Sequence, residues 1–280
     1  MLTALLSTAT AALFGSSDFL GGLASRRSPA LSITAVVYAV GVVAFAALVL
    51  VFRPVAVTSA DLLWAVASGV AGTIGVVALY AALAVGRMGV VAPITAALAG
   101  AGPAAFDLVR GSNVRPAALV GLVLALVAVV IVSTATHPED EHAMTPRALV
   151  LSVVSGVGFA VSLISLSKTA GASAMMPLLV ARCVGVLMLG VALLARGGGL
   201  SFAVGARRTA VAAGVLDALA NVTMLTAIRI GPLAVAAVIG SLYPVVTVLL
   251  ARVVLQERLH RLQIVGVIIA LAAVVLTALP

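Results

Sequence analysis

The chain consists almost entirely of long apolar runs, separated by short breaks that contain charged residues, proline or glycine. A helix needs roughly 20 apolar residues to cross the hydrocarbon core of a bilayer. Ten runs approach that length: 2–23, 31–52, 62–84, 88–108, 116–135, 148–168, 174–195, 209–228, 232–253 and 262–279. The pattern predicts an all-α membrane protein with ten transmembrane helices.

Composition points to lipid as the solvent of this surface, since 64% of the residues are hydrophobic and only 9% are charged. A soluble domain carries about 25% charged residues because its surface faces water. The net charge of +8 comes from basic residues that stand singly or in pairs between the apolar runs, as charges that orient membrane helices do. We expect a multi-pass protein of the cell membrane, in contact with the lipid bilayer and without a nucleic-acid partner.

The longest polar stretch, residues 136–147, lies near the middle of the chain. It separates a first unit, residues 1–135, from a second unit, residues 148–280, and each unit holds five predicted spans. An odd number of spans inserts the second unit upside down relative to the first. Inverted repeats of this kind are the architecture of many alternating-access carriers, so we expect two inverted five-helix repeats joined by a polar linker.

An internal match at one fixed offset supports this duplication. A shift of 145 positions aligns Phe14 with Phe159, Ser17 with Ser162, Gly69-Val70 with Gly214-Val215, Gly86 with Gly231, Gly121 with Gly266, and Val129-Val130 with Val274-Val275. A single ungapped offset that matches glycines in separate pairs of spans is hard to obtain by chance. The sequence therefore predicts an internal repeat.

Three short motifs stand in the last fifty residues of the chain. Residues 231–244 read Gly-Pro-Leu-Ala-Val-Ala-Ala-Val-Ile-Gly-Ser-Leu-Tyr-Pro, residues 255–259 read Leu-Gln-Glu-Arg-Leu, and residues 263–266 read Gln-Ile-Val-Gly. This pattern resembles the EamA family of the drug/metabolite transporter superfamily, whose members carry a proline in the ninth helix, Glu-Arg-Leu at its end and Gln-x-x-Gly at the start of the tenth. In the first half, Ser112 stands at the position equivalent to Glu257, and Ala99 stands at the position equivalent to Pro244.

The resemblance implies two five-helix units and a role in transport, but it names no substrate, because the family includes exporters of amino acids, other metabolites and drugs. We expect a secondary transporter of small organic solutes that works by alternating access. No Gly-Lys-Ser/Thr phosphate loop is present, so transport is either passive or coupled to an ion gradient, with protons as the candidate. The alternatives are a passive channel and a membrane-embedded subunit without transport activity.

The sequence contains no catalytic constellation, and we expect neither an enzyme nor a cofactor. The three histidines, His137, His142 and His260, all fall in predicted loops. His137 and His142 flank three acidic residues, but a solvated linker accounts for this charge better than a metal site does.

Asp18 is the charged residue deepest in the first span. A charge inside a membrane span is costly unless it faces a cavity or a partner, so each such residue is a functional candidate. One interpretation places Asp18 in a central cavity, where it binds a proton or a cationic group of the substrate. The other places it near the helix end, capped by Ser16 or Ser17 and in contact with interfacial water.

Three further polar residues fall inside predicted spans. Asp217 and Asn221 are four residues apart and share one face of the eighth helix, where they could coordinate an amine or hydroxyl, or bond to another helix. Arg182, in the seventh span, could neutralise Asp18 or Asp217, hold a substrate carboxylate, or extend to the lipid headgroups. An Arg and an Asp in one cavity would suit a zwitterion such as an amino acid.

Tyrosine and proline complete the candidate site. Tyr80 and Tyr243 could present hydroxyl groups to a cavity, although tyrosine near a helix end often anchors the helix at the membrane interface. Pro244 lies inside the ninth span, where it removes a backbone hydrogen bond and permits a kink; it is the gating candidate. We expect Glu257 and Arg258 to form an ion pair or to define a helix end, and Cys183 to be a small buried residue.

Overall fold

The structure is a computed structural model that describes residues 2–109, 116–134, 145–173, 175–230, 242–257 and 261–278. Within these ranges it contains ten α-helices and no β-strand. They are α1 Leu2–Ser25, α2 Ala30–Val51, α3 Ser59–Val85, α4 Met88–Val109, α5 Pro116–Thr134, α6 Pro146–Leu166, α7 Met176–Ala195, α8 Ala206–Ile230, α9 Tyr243–Val254 and α10 Arg261–Ala278.

Each helix overlaps one predicted apolar run, and the ends differ by a few residues. The start of α3 lies at Ser59 rather than at residue 62, because Thr58 and Asp61 form a reciprocal capping box there. Such a box satisfies two of the amide groups that a helix start leaves unpaired. Residues 231–241 of the ninth run and 135–144 of the linker lie outside the described residues. The prediction for the ninth run can therefore be compared with the structure only in its second half.

Four of the described helices, α2, α3, α6 and α7, are long and apolar enough to cross a bilayer. Shorter apolar stretches occur in α4, α5, α9 and α10. Large aliphatic side chains point outward along these helices, for example Leu50 in α2, Leu187 in α7 and Ile268 in α10. In water such a surface would be an aggregation liability, whereas in lipid it is the expected outer surface.

The most extensive helix pairs join the two halves of the chain: α3 packs against α6, and α1 packs against α8. Close approach at these crossings depends on glycine. A Cβ atom on Gly69 of α3 would lie 2.8 Å from the carbonyl oxygen of Ala181 in α7, and one on Gly214 of α8 would lie 2.9 Å from the Cβ of Val40 in α2. Small residues let membrane helices pack backbone against backbone.

The loops meet in two groups. At one end of the bundle, which we call end B, the α1–α2 loop contacts the α7–α8 loop, where the amide of Ala203 donates to the Oγ of Ser28 at 2.9 Å. At the other end, end A, the α2–α3 loop contacts the α6–α7 loop, where the amide of Val55 donates to the carbonyl oxygen of Ala172 at 3.1 Å and the amide of Ala170 donates to Asp61 in the first turn of α3 at 2.6 Å. These contacts assign four loops to ends of the bundle.

Candidate functional site

A cavity of about 390 Å³ lies between the helices, and nine of the ten described helices contribute to its lining; only α5 does not. This volume falls within the range of small-molecule sites, about 300–1,000 Å³. Most of the lining is apolar, and the polar side chains in it are Asp18, Tyr38, Ser68, Tyr80, Ser162, Arg182, Asp217, Asn221 and Tyr243. All six of the binding candidates named from the sequence therefore lie around one cavity.

Asp18 faces this cavity from α1 and is half-buried. In the described part of the chain it forms no hydrogen bond and no ion pair. Ser17, one of its two proposed caps, instead donates its hydroxyl hydrogen to the carbonyl oxygen of Ala213 in α8 at 2.8 Å. The structure thus places the carboxylate in the cavity lining, without the cap from Ser17.

Aromatic rings line the cavity near Asp18. Phe14 lies one turn before it on α1, and its ring meets that of Tyr243 edge to face, with 6.2 Å between the centroids. Both Tyr80 and Tyr243 line the same cavity as Asp18. Tyr80 is almost completely buried, so the structure places it in the interior rather than in an interfacial belt.

Arg182 and Asp217 form an ion pair in the cavity wall. The Nη2 of Arg182 lies 2.5 Å from the Oδ2 of Asp217, and the two side chains are 14% and 17% exposed. The amide of Asn221 donates to the backbone carbonyl of Asp217 at 2.8 Å and lies 3.5 Å from its Oδ2. The sequence left open whether Arg182 neutralises Asp18 or Asp217, and its partner in the structure is Asp217.

The guanidinium of Arg182 is also held by aromatic rings that sequence reasoning did not identify. Its Cζ lies 4.4 Å from the ring centroid of Tyr38 and 5.8 Å from that of Phe45, both in α2. Stacking of a cation on aromatic faces is favourable. Tyr38 and Phe45 are seven residues apart and therefore share one face of a helix, which is the signal that could have revealed them.

Gly185 in α7 makes room for the ring of Tyr38. A Cβ atom at this position would lie 2.3 Å from two ring carbons of Tyr38 and 2.6 Å from the Oγ1 of Thr73. We predict that Gly185→Ala displaces Tyr38 and destabilises the protein by about 1–3 kcal/mol, as overpacking does. Thermal unfolding in detergent measures the loss.

The matched control is Gly190→Ala on the same helix, because a Cβ atom there meets nothing within 4 Å. This variant should be neutral or slightly more stable, since alanine has the higher helix propensity. Equal losses in the Gly185 and Gly190 variants would contradict the proposed role of Gly185.

Pro244 is buried in the first turn of α9. A proline in a first turn removes no hydrogen bond that the helix would otherwise make. The described residues therefore do not show the predicted kink within a continuous span, and gating at Pro244 stays a prediction.

Cys183 was expected to be buried, but it is exposed on α7. That expectation was wrong because successive residues of a helix face different directions, and on α7 it is Arg182 that faces the interior.

Glu257 defines a helix end, although the helix belongs to the first half of the chain. Its carboxylate accepts hydrogen bonds from the amides of Met88 and Gly89, at 3.2 and 3.0 Å, and so caps the start of α4. It also pairs with Arg26 at 2.8 Å, at the end of α1. Arg258, the expected partner, lies outside the described residues.

Arg87 adds a second contact at the same place, since its Nη1 donates to the Oε1 of the buried Gln263 at 2.8 Å. Arg26, Arg87, Glu257 and Gln263 form what we call the end-B cluster. It joins the α1–α2, α3–α4 and α9–α10 connections, and so ties first-half helices to second-half helices at end B.

Helices of bilayer length, an aliphatic outer surface and charged side chains turned toward an inner cavity define a helical integral membrane protein. Within this class, residues 146–279 match the EamA-like transporter family. This match to the second half of the chain confirms the resemblance seen in the sequence.

The fold extends beyond the matched half. A protein of known crystal structure is similar over 98% of this chain and 96% of its own, with a TM-score of 0.60 and 19% sequence identity. At this identity the likeness concerns the fold alone. No curated protein matches the chain in sequence.

Proposed function

We propose that this protein is a secondary transporter of small organic solutes, in which two inverted five-helix units alternately open a shared cavity to the two sides of the membrane. The main observation in support is that contacts between the two halves recur at the 145-residue offset found in the sequence. Enzyme activity and cofactors form no part of the proposal.

The helix packing supports the repeat. If α1 to α5 correspond in order to α6 to α10, then α1 is equivalent to α6 and α3 is equivalent to α8. The two most extensive helix pairs, α1 with α8 and α3 with α6, then become one interface formed twice. The glycine crossings agree, since Gly69 packs α3 on α7 and Gly214 packs α8 on α2.

Individual hydrogen bonds keep the same register. Ser17 of α1 bonds to the carbonyl of Ala213 in α8 at 2.8 Å, and Ser162 of α6 bonds to the hydroxyl of Ser68 in α3, also at 2.8 Å. Ser162 is 145 residues after Ser17, and Ala213 is 145 residues after Ser68. Two cross-half bonds thus occupy equivalent positions.

The loop contacts support inversion. The α1–α2 loop lies at end B, and its equivalent, the α6–α7 loop, lies at end A. Equivalent loops at opposite ends are the arrangement expected of two units in opposite orientations. Such units can exchange conformations, which is the basis of alternating access around a central site.

The extent of the cavity suggests which end is closed. Its lining extends to Leu166, the last residue of α6, and to Leu178 in the first turn of α7, both next to the α6–α7 loop at end A. Toward end B the helices are tied by the end-B cluster. We infer that the described conformation opens toward end A and is closed at end B.

Asp18 is the proposed coupling residue, because it is an ionisable group in the cavity without a partner among the described residues. The titratable groups that face it are Asp217, Tyr80 and Tyr243, and Arg182 adds a fixed positive charge. A carboxylate in this position can bind a proton in one half of the cycle and release it in the other.

We predict that Asp18→Asn abolishes pH-gradient-dependent transport in proteoliposomes, because an amide cannot exchange a proton. Uptake and efflux of a metabolite panel, with and without an imposed pH gradient, provide the measurement. Asp18→Glu is the control and should retain gradient dependence. Unaltered coupling in the Asn variant would reject the role of Asp18.

The same assay tests the transporter proposal as a whole. A carrier gives saturable flux and accelerates exchange when unlabelled solute is present on the opposite side. Flux that neither saturates nor shows exchange would favour a passive channel instead. If no solute in the panel crosses, the protein would be better described as a membrane-embedded subunit.

A further inference from the structure

We propose that the cavity selects organic cations, namely amines with a compact apolar body, over zwitterions and anions of the same shape. This inference rests on the proposed transport function and names its substrate class. It starts from the balance of charge in the cavity. Among the described lining residues, the ionisable acids and bases other than tyrosine are Asp18, Arg182 and Asp217.

Two of these three charges neutralise each other. Arg182 is paired with Asp217 at 2.5 Å, and Asn221 donates to the backbone of Asp217 from the next turn of α8. Asp18 has no corresponding base within the described residues. The cavity therefore presents one uncompensated carboxylate to a ligand, which favours a ligand with one positive charge.

Arg182 is poorly placed to receive a ligand carboxylate. Its guanidinium is fixed by Asp217 on one side and by the ring of Tyr38, at 4.4 Å, on another. A carboxylate that drew Arg182 away would leave Asp217 charged and unpaired in a largely buried site. Removal of one partner from a buried ion pair is strongly unfavourable, so the pair opposes binding of anions.

The surroundings of Asp18 suit an ammonium group. Phe14 lies one turn away on the same helix, Tyr243 meets Phe14 edge to face, and Tyr80 lines the same cavity. Aromatic faces attract cations, and a carboxylate forms charge-assisted hydrogen bonds with ammonium hydrogens. The amine of the ligand is therefore assigned to the region of Asp18.

The repeat explains why the rest of the ligand should be apolar. The positions equivalent to the charged and amide residues also line the cavity, but they carry no polar side chain: Leu163 is equivalent to Asp18, Val37 to Arg182, Gly72 to Asp217 and Val76 to Asn221. The two units thus contribute chemically different surfaces to one cavity. A volume of about 390 Å³ restricts the apolar body to a compact one.

Three probes that share a phenyl ring and differ in charge test the inference: phenethylamine, phenylalanine and 3-phenylpropionate. Binding to the purified full-length protein and uptake into proteoliposomes are measured for each. We expect phenethylamine to bind about tenfold or more tightly than the other two, and Asp18→Asn to abolish that preference. Cys183→Ser, a change at an exposed position, should leave the preference intact.

Other results would overturn the inference. Preference for phenylalanine or phenylpropionate, no binding of any of the three, or unchanged binding of phenethylamine to Asp18→Asn would each show that the cavity does not select amines through Asp18. Saturable transport of other solutes would still support the carrier proposal in those cases. Only the absence of carrier behaviour across the wider panel would reject the proposed function itself.

Discussion

Replacement of Arg182 by methionine should destabilise the protein by about 3–5 kcal/mol, because it leaves the carboxylate of Asp217 buried without its counter-charge. The two side chains are less than one fifth exposed, so water cannot fully replace the lost partner. Methionine keeps much of the arginine stem, which limits the loss of packing against Tyr38. Thermal or denaturant unfolding in detergent measures the change.

The decisive control for this prediction is the double variant Arg182→Met with Asp217→Asn. It removes both charges and keeps the hydrogen-bonding shape of Asp217, so most of the lost stability should return. Asp217→Asn alone should be the milder of the two single changes, since Arg182 retains its contacts with Tyr38 and Phe45. A double variant as unstable as Arg182→Met would show that the arginine acts through packing rather than charge.

The double variant also separates stability from recognition. Its cavity keeps Asp18 as the remaining charged side chain among the described lining residues. The ion pair is proposed to stabilise the cavity wall and to oppose the binding of anions. In that case the folded double variant should still bind phenethylamine and should discriminate less against phenylpropionate. This outcome would assign amine binding to Asp18 and charge exclusion to the pair.

The sequence predicted the helices well and drew attention to polar residues that line the cavity, because each signal is a local departure from an apolar background. A charge within a run of aliphatic residues is conspicuous, and Asp18, Arg182, Asp217 and Asn221 all line the cavity. Their partners could not be predicted in the same way. Arg182 is 35 residues from Asp217 and on another helix, so only the packing of α7 on its neighbours decides that they meet.

The direction of individual side chains was also beyond the sequence. In a soluble protein the apolar stripe of a helix identifies its inner face, but a helix in lipid is apolar on both its inner and outer faces. Cys183 and Tyr38 illustrate the consequence: Cys183 is exposed and Tyr38 is buried against Arg182. Glu257 shows the same limit at a helix end, since the helix it caps lies in the other half of the chain.

Glu257→Ala should cost about 3 kcal/mol and open the bundle at end B, because one carboxylate makes three contacts there. It accepts from the amides of Met88 and Gly89 and pairs with Arg26. Arg26→Met removes the ion pair and two long hydrogen bonds, from Arg26 to the carbonyl oxygens of Leu83 and Gly86. It leaves the cap on α4, so its cost should be smaller, about 1–2 kcal/mol. Unfolding measurements on the two variants show which of them loses more stability.

A charge exchange distinguishes a helix cap from a simple ion pair. If Arg26 and Glu257 only attracted each other, Arg26→Glu combined with Glu257→Arg would restore stability. Here the exchange should fail, because an arginine at 257 cannot accept hydrogen bonds from the amides of α4 and places a positive charge at the positive end of the helix dipole. Full recovery in the exchanged protein would mean that capping of α4 contributes little.

Opening at end B can be followed with a single reporter. Cys183→Ser removes the one native cysteine, and Ser25→Cys then places a thiol at a buried position beside Arg26. Labelling by a water-soluble maleimide should be slow in this background and faster after Glu257→Ala, since the end-B cluster would no longer tie α1 to α4. Equal labelling rates would place the closure elsewhere, and alternating access would then require another barrier between the cavity and end B.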